Sequence, residues 1–173
     1  MTLPIPGVAL SDHRGLVERL GDWGYTDLWT AEVAGADAFT PLAAAATWSP
    51  GLRLGTAIAS VFARGPGLLA MQAAAMADLA PGRFVLGIGS SSPLLVEGWQ
   101  SGAWDRPYAR VRDTVQFLHQ ALSGERVDSN FETFTIRGFR LERPPEIPPP
   151  IMVAALLPRM LAFRECSRRV LGA

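Results

Sequence analysis

The most informative stretch of the chain is LAPGRFVLGIG, residues 79–89. It begins with the end of a helical pattern, and Pro81 stops that helix just before a continuous apolar run. A short apolar run between turn residues is typical of a strand that is buried on both faces of a parallel sheet. The stretch therefore predicts a strand over residues 83–89, with Gly87 and Gly89 at its carboxyl end.

The segments on both sides of this strand repeat an alternation of strand and helix. Further strands are predicted at residues 7–10, 27–31, 52–60 and 151–155, and helices at 12–24, 40–48, 68–79 and 106–123, with Asp12 and Thr40 as helix caps. Strands separated by such helices form β-α-β units and a parallel sheet. Aromatic residues predict a short antiparallel excursion near 127–141, and a proline-rich connector follows at 144–150.

Composition and charge exclude several classes of function. The 173 residues carry 16 basic side chains, all of them Arg, against 16 acidic ones, so a nucleic-acid partner is not expected. The lack of Lys excludes a Walker A phosphate loop and Schiff-base chemistry. Two His and one Cys cannot form a His/Cys zinc site, so no metal is expected. Without an apparent signal peptide or membrane span, the sequence predicts a cytoplasmic protein.

Glycine and serine follow the strand at 83–89, where parallel sheets bind their ligands. Gly87 and Gly89 would let the backbone approach a ligand closely, and Ser90 and Ser91 could hold phosphate or carbonyl oxygens. The alternative is that the glycines serve only the tight packing of the strand end.

Two charged residues near other strand ends are candidate site residues. Glu32 follows the strand at 27–31 and could orient a ligand or transfer a proton, or it could be a solvated loop acid. Arg64 could reach a phosphate, or it could cap the loop before its helix. Other residues of interest have a stronger structural interpretation, namely Trp99 and Trp104 as loop packing rather than ring stacking, His13 and His119 as structural residues, and Cys166 as incidental.

Several motifs, taken in order, resemble the luciferase-like monooxygenase superfamily, and within it the deazaflavin (coenzyme F-420) dependent oxidoreductases. They are DLWTAE (27–32), LGTAI (54–58), RGP (64–66), LAPGRFVLGIG (79–89), SSSP (90–93), WDRP (104–107) and PPIMVAAL (149–156). The resemblance assigns residues 1–161 to one domain and leaves 162–173 as a C-terminal tail that does not match.

The resemblance implies the N-terminal part of a (β/α)8 TIM barrel, with about four to five parallel strands and the cofactor over their carboxyl ends. It also implies a non-proline cis peptide between Ala57 and Ile58, against which the deazaflavin ring lies. Cofactor contacts are implied for Gly89, Ser90 and Ser91.

The chemistry that the resemblance implies is hydride transfer between the deazaflavin and a small organic substrate, with the protein fixing face and distance. Glu32 maps to an acidic position of the family and is the candidate catalytic residue. Many relatives have His at the next position, where this chain has Val33. FMN with molecular oxygen, in a monooxygenase, is the alternative cofactor chemistry.

A full barrel needs about 200 residues or more, so the sequence predicts a truncated barrel with impaired activity. Open edges on the first and fifth strands would invite pairing with another chain. Three outcomes are open: an open α/β sandwich, assembly of two half barrels into a homodimer, or a partly folded product. Two further alternatives are a non-catalytic remnant that associates with itself and a small flavodoxin-like domain.

Overall fold

The computed structural model of the chain describes residues 1–154. The strands are β1 (Thr2–Leu3), β2 (Asp27–Thr30), β3 (Arg53–Thr56), β4 (Ala59–Ser60), β5 (Phe84–Gly89), β6 (Val127–Asn130), β7 (Thr135–Phe139) and β8 (Ile151–Val153). The α-helices are α1 (Arg14–Arg19), α2 (Thr40–Trp48), α3 (Pro66–Leu79) and α4 (Pro107–Leu122), with a 3-10 helix at Leu10–His13 and a π-helical turn at Leu94–Trp99. The predicted tail at 162–173 and the last residue of the predicted strand 151–155 lie outside the described residues.

One parallel sheet organises the described part of the chain. Its order is β1-β2-β3-β5-β4, and β8 also pairs with β5. Both β3 and β4 pair with β5, so they are two parts of one pass along the sheet that is interrupted at residues 57–58. The predicted continuous strand at 52–60 is therefore two short strands.

The central position of β5 in the sheet explains why its sequence is so informative about the fold. All six of its residues are buried: β3 and β4 lie along one edge, β8 lies along the other, and α3 packs against the strand. Small buried side chains let α3 approach the sheet closely, among them Ala70, Ala73 and Ala77. The apolar stripe predicted for α4 is confirmed as buried: Val111, Val115, Leu118 and Leu122.

The predicted antiparallel excursion is confirmed as the hairpin of β6 and β7. An aromatic cluster fixes it against α4, since the ring of Phe117 contacts the rings of Phe131, Phe134 and Phe139 at centroid distances of 6.4, 6.3 and 5.3 Å. The hairpin is thus an addition to the outer helical layer, and it leaves the sheet parallel.

The N-terminal prediction is wrong in detail. The first strand is Thr2–Leu3, and the predicted strand residues 7–10 instead lead into the 3-10 helix. Leu3 is 1% exposed and Val8 is 41% exposed, so burial follows the earlier apolar residue. The proline that follows Leu3 hid this strand, because proline lacks the N–H that a ladder uses.

The helix caps were also predicted incorrectly. No side-chain cap bond from Asp12 forms at the 3-10 helix, which is followed by α1. Thr40 is the first residue of α2 and not its cap. The carboxylate that satisfies this helix end is that of Asp37, whose Oδ1 accepts hydrogen bonds from the N–H groups of Phe39 and Thr40 at 2.8 and 3.1 Å.

Candidate active site

The candidate residues lie together at the carboxyl ends of β2, β4 and β5. In the ladder between β4 and β5, Ala59 is paired with Ile88 and Ser60 with Gly89, so the end of one strand is adjacent to the end of the other. Glu32 lies two residues beyond the end of β2. The parallel arrangement therefore brings residues that are distant in sequence to one edge of the sheet.

The break between β3 and β4 has the predicted geometry. The peptide bond between Ala57 and Ile58 is cis, which confirms that expectation. Ala57 is exposed and Ile58 is half-buried. A Cβ atom at Gly89 would lie 3.3 Å from the Ile58 side chain and 3.2 Å from the Cβ of Ala154, so a glycine there leaves room for both neighbours.

Gly87 has a packing explanation that is independent of any ligand. A Cβ atom at this position would lie 1.8 Å from the carbonyl oxygen of Thr56, which the backbone cannot accommodate. The Thr56 hydroxyl donates to the Gly87 carbonyl oxygen at 2.6 Å and accepts from the Gly87 N–H at 2.9 Å. This geometry supports the packing alternative for Gly87, and the partner, Thr56, was missed in the sequence.

Glu32 and Arg64 form an ion pair that is almost completely shielded from water. Their side chains are 9% and 8% exposed. The guanidinium binds the carboxylate through two donors: Nη1 donates to Oε2 at 2.9 Å, and Nη2 donates to Oε1. The guanidinium also lies over the ring of Phe39, 5.2 Å from its centroid. The alternative of a solvated loop acid is therefore wrong for Glu32.

Two backbone groups complete the surroundings of the Glu32 carboxylate. The N–H of Ser60 donates to Oε2 at 3.0 Å, and the N–H of Ala38 donates to Oε1 at 3.3 Å. With the two Arg64 donors, the carboxylate accepts four hydrogen bonds from three separate segments of the chain. Such an arrangement can hold loops in place, and it leaves Arg64 engaged inside the protein.

Trp104 supports the loop that follows β5. Its indole Nε1–H donates to the carbonyl oxygen of Ser90 at 3.0 Å, and its backbone N–H donates to the Glu97 carboxylate at 3.3 Å. Ser90 and Ser91 are half-buried, and Ser91 has a φ of 60°, a left-handed conformation. The structure thus places the indole as a loop-packing group, while Trp99 is 55% exposed.

The remaining candidates lie away from this edge or outside the description. His13 is buried in the N-terminal turn, where its ring contacts the N–H of Ile5 and the carbonyl oxygen of Ala9. His119 belongs to α4, and Cys166 lies outside the described residues. Within residues 1–154 there is no group of His, Cys, Asp and Glu suited to a metal ion, and no helix is long and apolar enough to span a bilayer.

A profile of the luciferase-like monooxygenase family matches residues 3–164. The chain belongs to this family. A protein of Mycobacterium tuberculosis assigned as a coenzyme F-420-dependent oxidoreductase is 38% identical over 114 residues, which cover 66% of this chain and 33% of that protein. The chain thus matches only about a third of the length of this luciferase-like relative.

Two solved structures that hold different cofactors share this fold. An F-420-dependent secondary alcohol dehydrogenase in complex with an F-420–acetone adduct has a TM-score of 0.80 at 16% identity, covering 91% of this chain and 52% of that one. A type II Baeyer–Villiger monooxygenase of Pseudomonas putida in complex with FMN has a TM-score of 0.70 at 16% identity, covering 86% and 47%. The described sheet is therefore the N-terminal part of a TIM barrel, as predicted, and the flavodoxin-like alternative is wrong.

Proposed function

We propose that this chain forms part of an oxidoreductase that transfers a hydride between coenzyme F-420 and a small organic substrate. Membership of the luciferase-like family and the similarity to a protein assigned as F-420-dependent support the cofactor class. The observation that carries the proposal is that the cis peptide Ala57–Ile58 lies beside Gly89 at the carboxyl ends of the strands. Ala57, Ile58 and Gly89, with Ser90 and Ser91 that follow, are called the shelf.

The shelf has the chemical features that a planar ring needs. Exposed Ala57 and half-buried Ile58 offer an apolar surface, and the glycine beside them keeps the backbone of β5 close to that surface. The hydroxyl and backbone groups of Ser90 and Ser91 give it a polar end, as a ring with carbonyl oxygens would require. These residues fit a deazaflavin, and they would hold it. When bound, the cofactor would supply the hydride acceptor or donor.

The predicted roles of the two buried charged residues are less well supported by their contacts. Proton transfer by Glu32 stays a hypothesis, and Glu32→Gln with loss of turnover but retained binding would support it. Contact between Arg64 and a cofactor phosphate also stays a hypothesis, since both terminal nitrogens of this guanidinium already bind Glu32.

The proposal can be tested by titrating the full chain with coenzyme F-420 and following the quenching of tryptophan fluorescence. Ala57→Leu would place a larger side chain on the exposed shelf and is expected to weaken binding about tenfold. Ala75→Leu is the matched control, because Ala75 is also exposed but belongs to α3. Equal affinities of the two variants would contradict cofactor binding at the shelf. No binding of F-420 by the native chain would contradict the proposed cofactor.

FMN is the second candidate cofactor, because one structure with this fold was solved with FMN. Tighter binding of FMN than of F-420 in the same titration would favour the monooxygenase chemistry instead. The non-catalytic alternative predicts a molecular size that grows with concentration and no affinity for either cofactor. A homodimer stays a prediction, which sedimentation of the native chain would check.

A further inference from the structure

We infer that Glu32 and Arg64 act together as a positioning pair that fixes the shelf for its cofactor, and that neither reacts with or binds the ligand directly. The inference rests on the proposed function for the identity of the ligand. It assigns a role that differs from the proton transfer and phosphate binding predicted for the two residues.

The first support is the set of segments that the carboxylate joins. Glu32 follows β2, Ala38 lies just before α2, and Ser60 ends β4. Arg64 precedes α3. All of these segments lie at the carboxyl ends of the strands, where the shelf is. The Glu32 side chain therefore connects the loops that surround the shelf.

The second support is the short path from the carboxylate to the shelf. Ser60, which donates to Oε2 at 3.0 Å, is two residues from Ile58. The same residue is paired with Gly89 in the ladder. Displacement of the carboxylate would therefore release the backbone of β4 at the point where the shelf meets β5.

The third support is that both oxygens of the Glu32 carboxylate already accept hydrogen bonds from the protein. Four N–H donors, two of them on the Arg64 guanidinium, bind its two oxygens. To take a proton from a substrate, the carboxylate would have to give up at least one of these bonds. A group with this environment is suited to fixing geometry rather than to exchanging protons.

Arg64 is also engaged inside the protein. Both terminal nitrogens donate to Glu32, and the guanidinium carbon lies 5.2 Å from the centroid of the Phe39 ring. Its side chain is only 8% exposed, so a phosphate has little access to the three N–H donors that Glu32 does not use. The planar, two-pronged guanidinium matches the carboxylate in a way that a lysine ammonium does not.

The test compares Glu32→Gln with Asp113→Asn in the full chain. Asp113 is a second buried carboxylate that pairs with an arginine, but it lies on α4 and takes its other contacts from the hairpin. Both variants are expected to lower the melting temperature. Only Glu32→Gln is expected to raise the dissociation constant for F-420, by about tenfold. Equal dissociation constants for the two variants would overturn the inference.

Two further readouts separate positioning from catalysis and from a failure of the proposed function. Amide exchange at residues 57–62, without cofactor, is expected to accelerate in Glu32→Gln but not in Asp113→Asn; unchanged exchange in Glu32→Gln would overturn the inference even if F-420 never binds. The pH profile of turnover is expected to keep its shape in Glu32→Gln. Loss of one limb of that profile, with binding unchanged, would overturn positioning in favour of proton transfer.

Discussion

Glu32 and Asp113 are both carboxylates that are shielded from water and paired with arginine, yet they occupy different regions of the molecule. Glu32 lies among loops at the strand ends, and its partners include Ser60 and Arg64, 28 and 32 residues away. Asp113 lies on α4, where it binds the adjacent Arg112 and accepts from the N–H and hydroxyl of Thr133 at 2.8 and 2.9 Å.

The difference lies in what happens to the arginine when the carboxylate is removed. Arg64 is 8% exposed; Glu32 is its ion-pair partner within residues 1–154, and Asp37 interacts with it only through the weaker electrostatic attraction of a more distant charge. Arg112 is 29% exposed and also binds Glu132 at 2.8 Å, so it would keep both water and a counter-charge. A buried pair at the strand ends is therefore expected to tolerate change much less than the pair that ties the hairpin to α4.

The largest expected effect is that of Glu32→Gln on stability. It leaves the guanidinium of Arg64 buried without its carboxylate, and breaking a buried pair in this way costs about 3–5 kcal/mol of unfolding free energy. Urea denaturation would measure the loss. The double variant Glu32→Met with Arg64→Met removes both charges and should cost less than the single change. A loss below about 1 kcal/mol for Glu32→Gln would show that the pair behaves as an exposed one.

The second effect is that of Asp113→Asn, expected at about 1–3 kcal/mol. The amide can still accept one hydrogen bond from Thr133, but the charge that holds Arg112 is gone. The same urea experiment would rank the two carboxylates. A loss larger than that of Glu32→Gln would reverse the comparison.

A smaller effect is expected at the end of α2. Asp37→Ala removes the oxygen that accepts from the N–H groups of Phe39 and Thr40, and loss of a helix cap costs about 1 kcal/mol. Thermal unfolding of the variant would show it. Asp37→Asn keeps an acceptor at this position and serves as the matched control, so it should recover most of the loss.

The smallest effect concerns the pH dependence of stability that arises from Asp27, at the amino end of the sheet. Side-chain hydrogen bonds from Thr26 and then from Arg53 lower the pKa of Asp27 below its usual value. Since the folded pKa is below the unfolded one, its contribution to stability is present above the unfolded pKa and is lost as the pH falls through the folded pKa.

Melting temperatures between about pH 5 and pH 2, which span the ordinary pKa of Asp near 3.9, would measure this contribution. The native chain should lose stability more steeply with acid than Asp27→Asn. Parallel curves for the two proteins would contradict the effect.

Elements that depend on neighbouring residues could be predicted from the sequence, whereas contacts between distant residues could not. The strand β5 and the buried stripe of α4 follow from local periodicity, and the structure confirms both predictions. The cis peptide at Ala57–Ile58 was found through a family resemblance.

The site contacts were harder to predict because they join residues that are far apart in the chain. Nothing in the order of residues shows that Arg64 meets Glu32, or that Thr56 fills the space beside Gly87. The strand at Thr2–Leu3 was missed for a different reason, namely the proline that follows it. The fold class can therefore be predicted from the sequence pattern and the family resemblance. The pairing of Glu32 with Arg64 is visible only in the structure.

Amide hydrogen exchange of the full chain, with and without coenzyme F-420, tests most directly whether the cofactor binds at the shelf. We expect the cofactor to slow exchange at residues 57–62 and 88–92, the two segments that contain the shelf, and to leave the hairpin at 127–139 unchanged. Protection confined to the hairpin, or no protection at saturating cofactor, would contradict it.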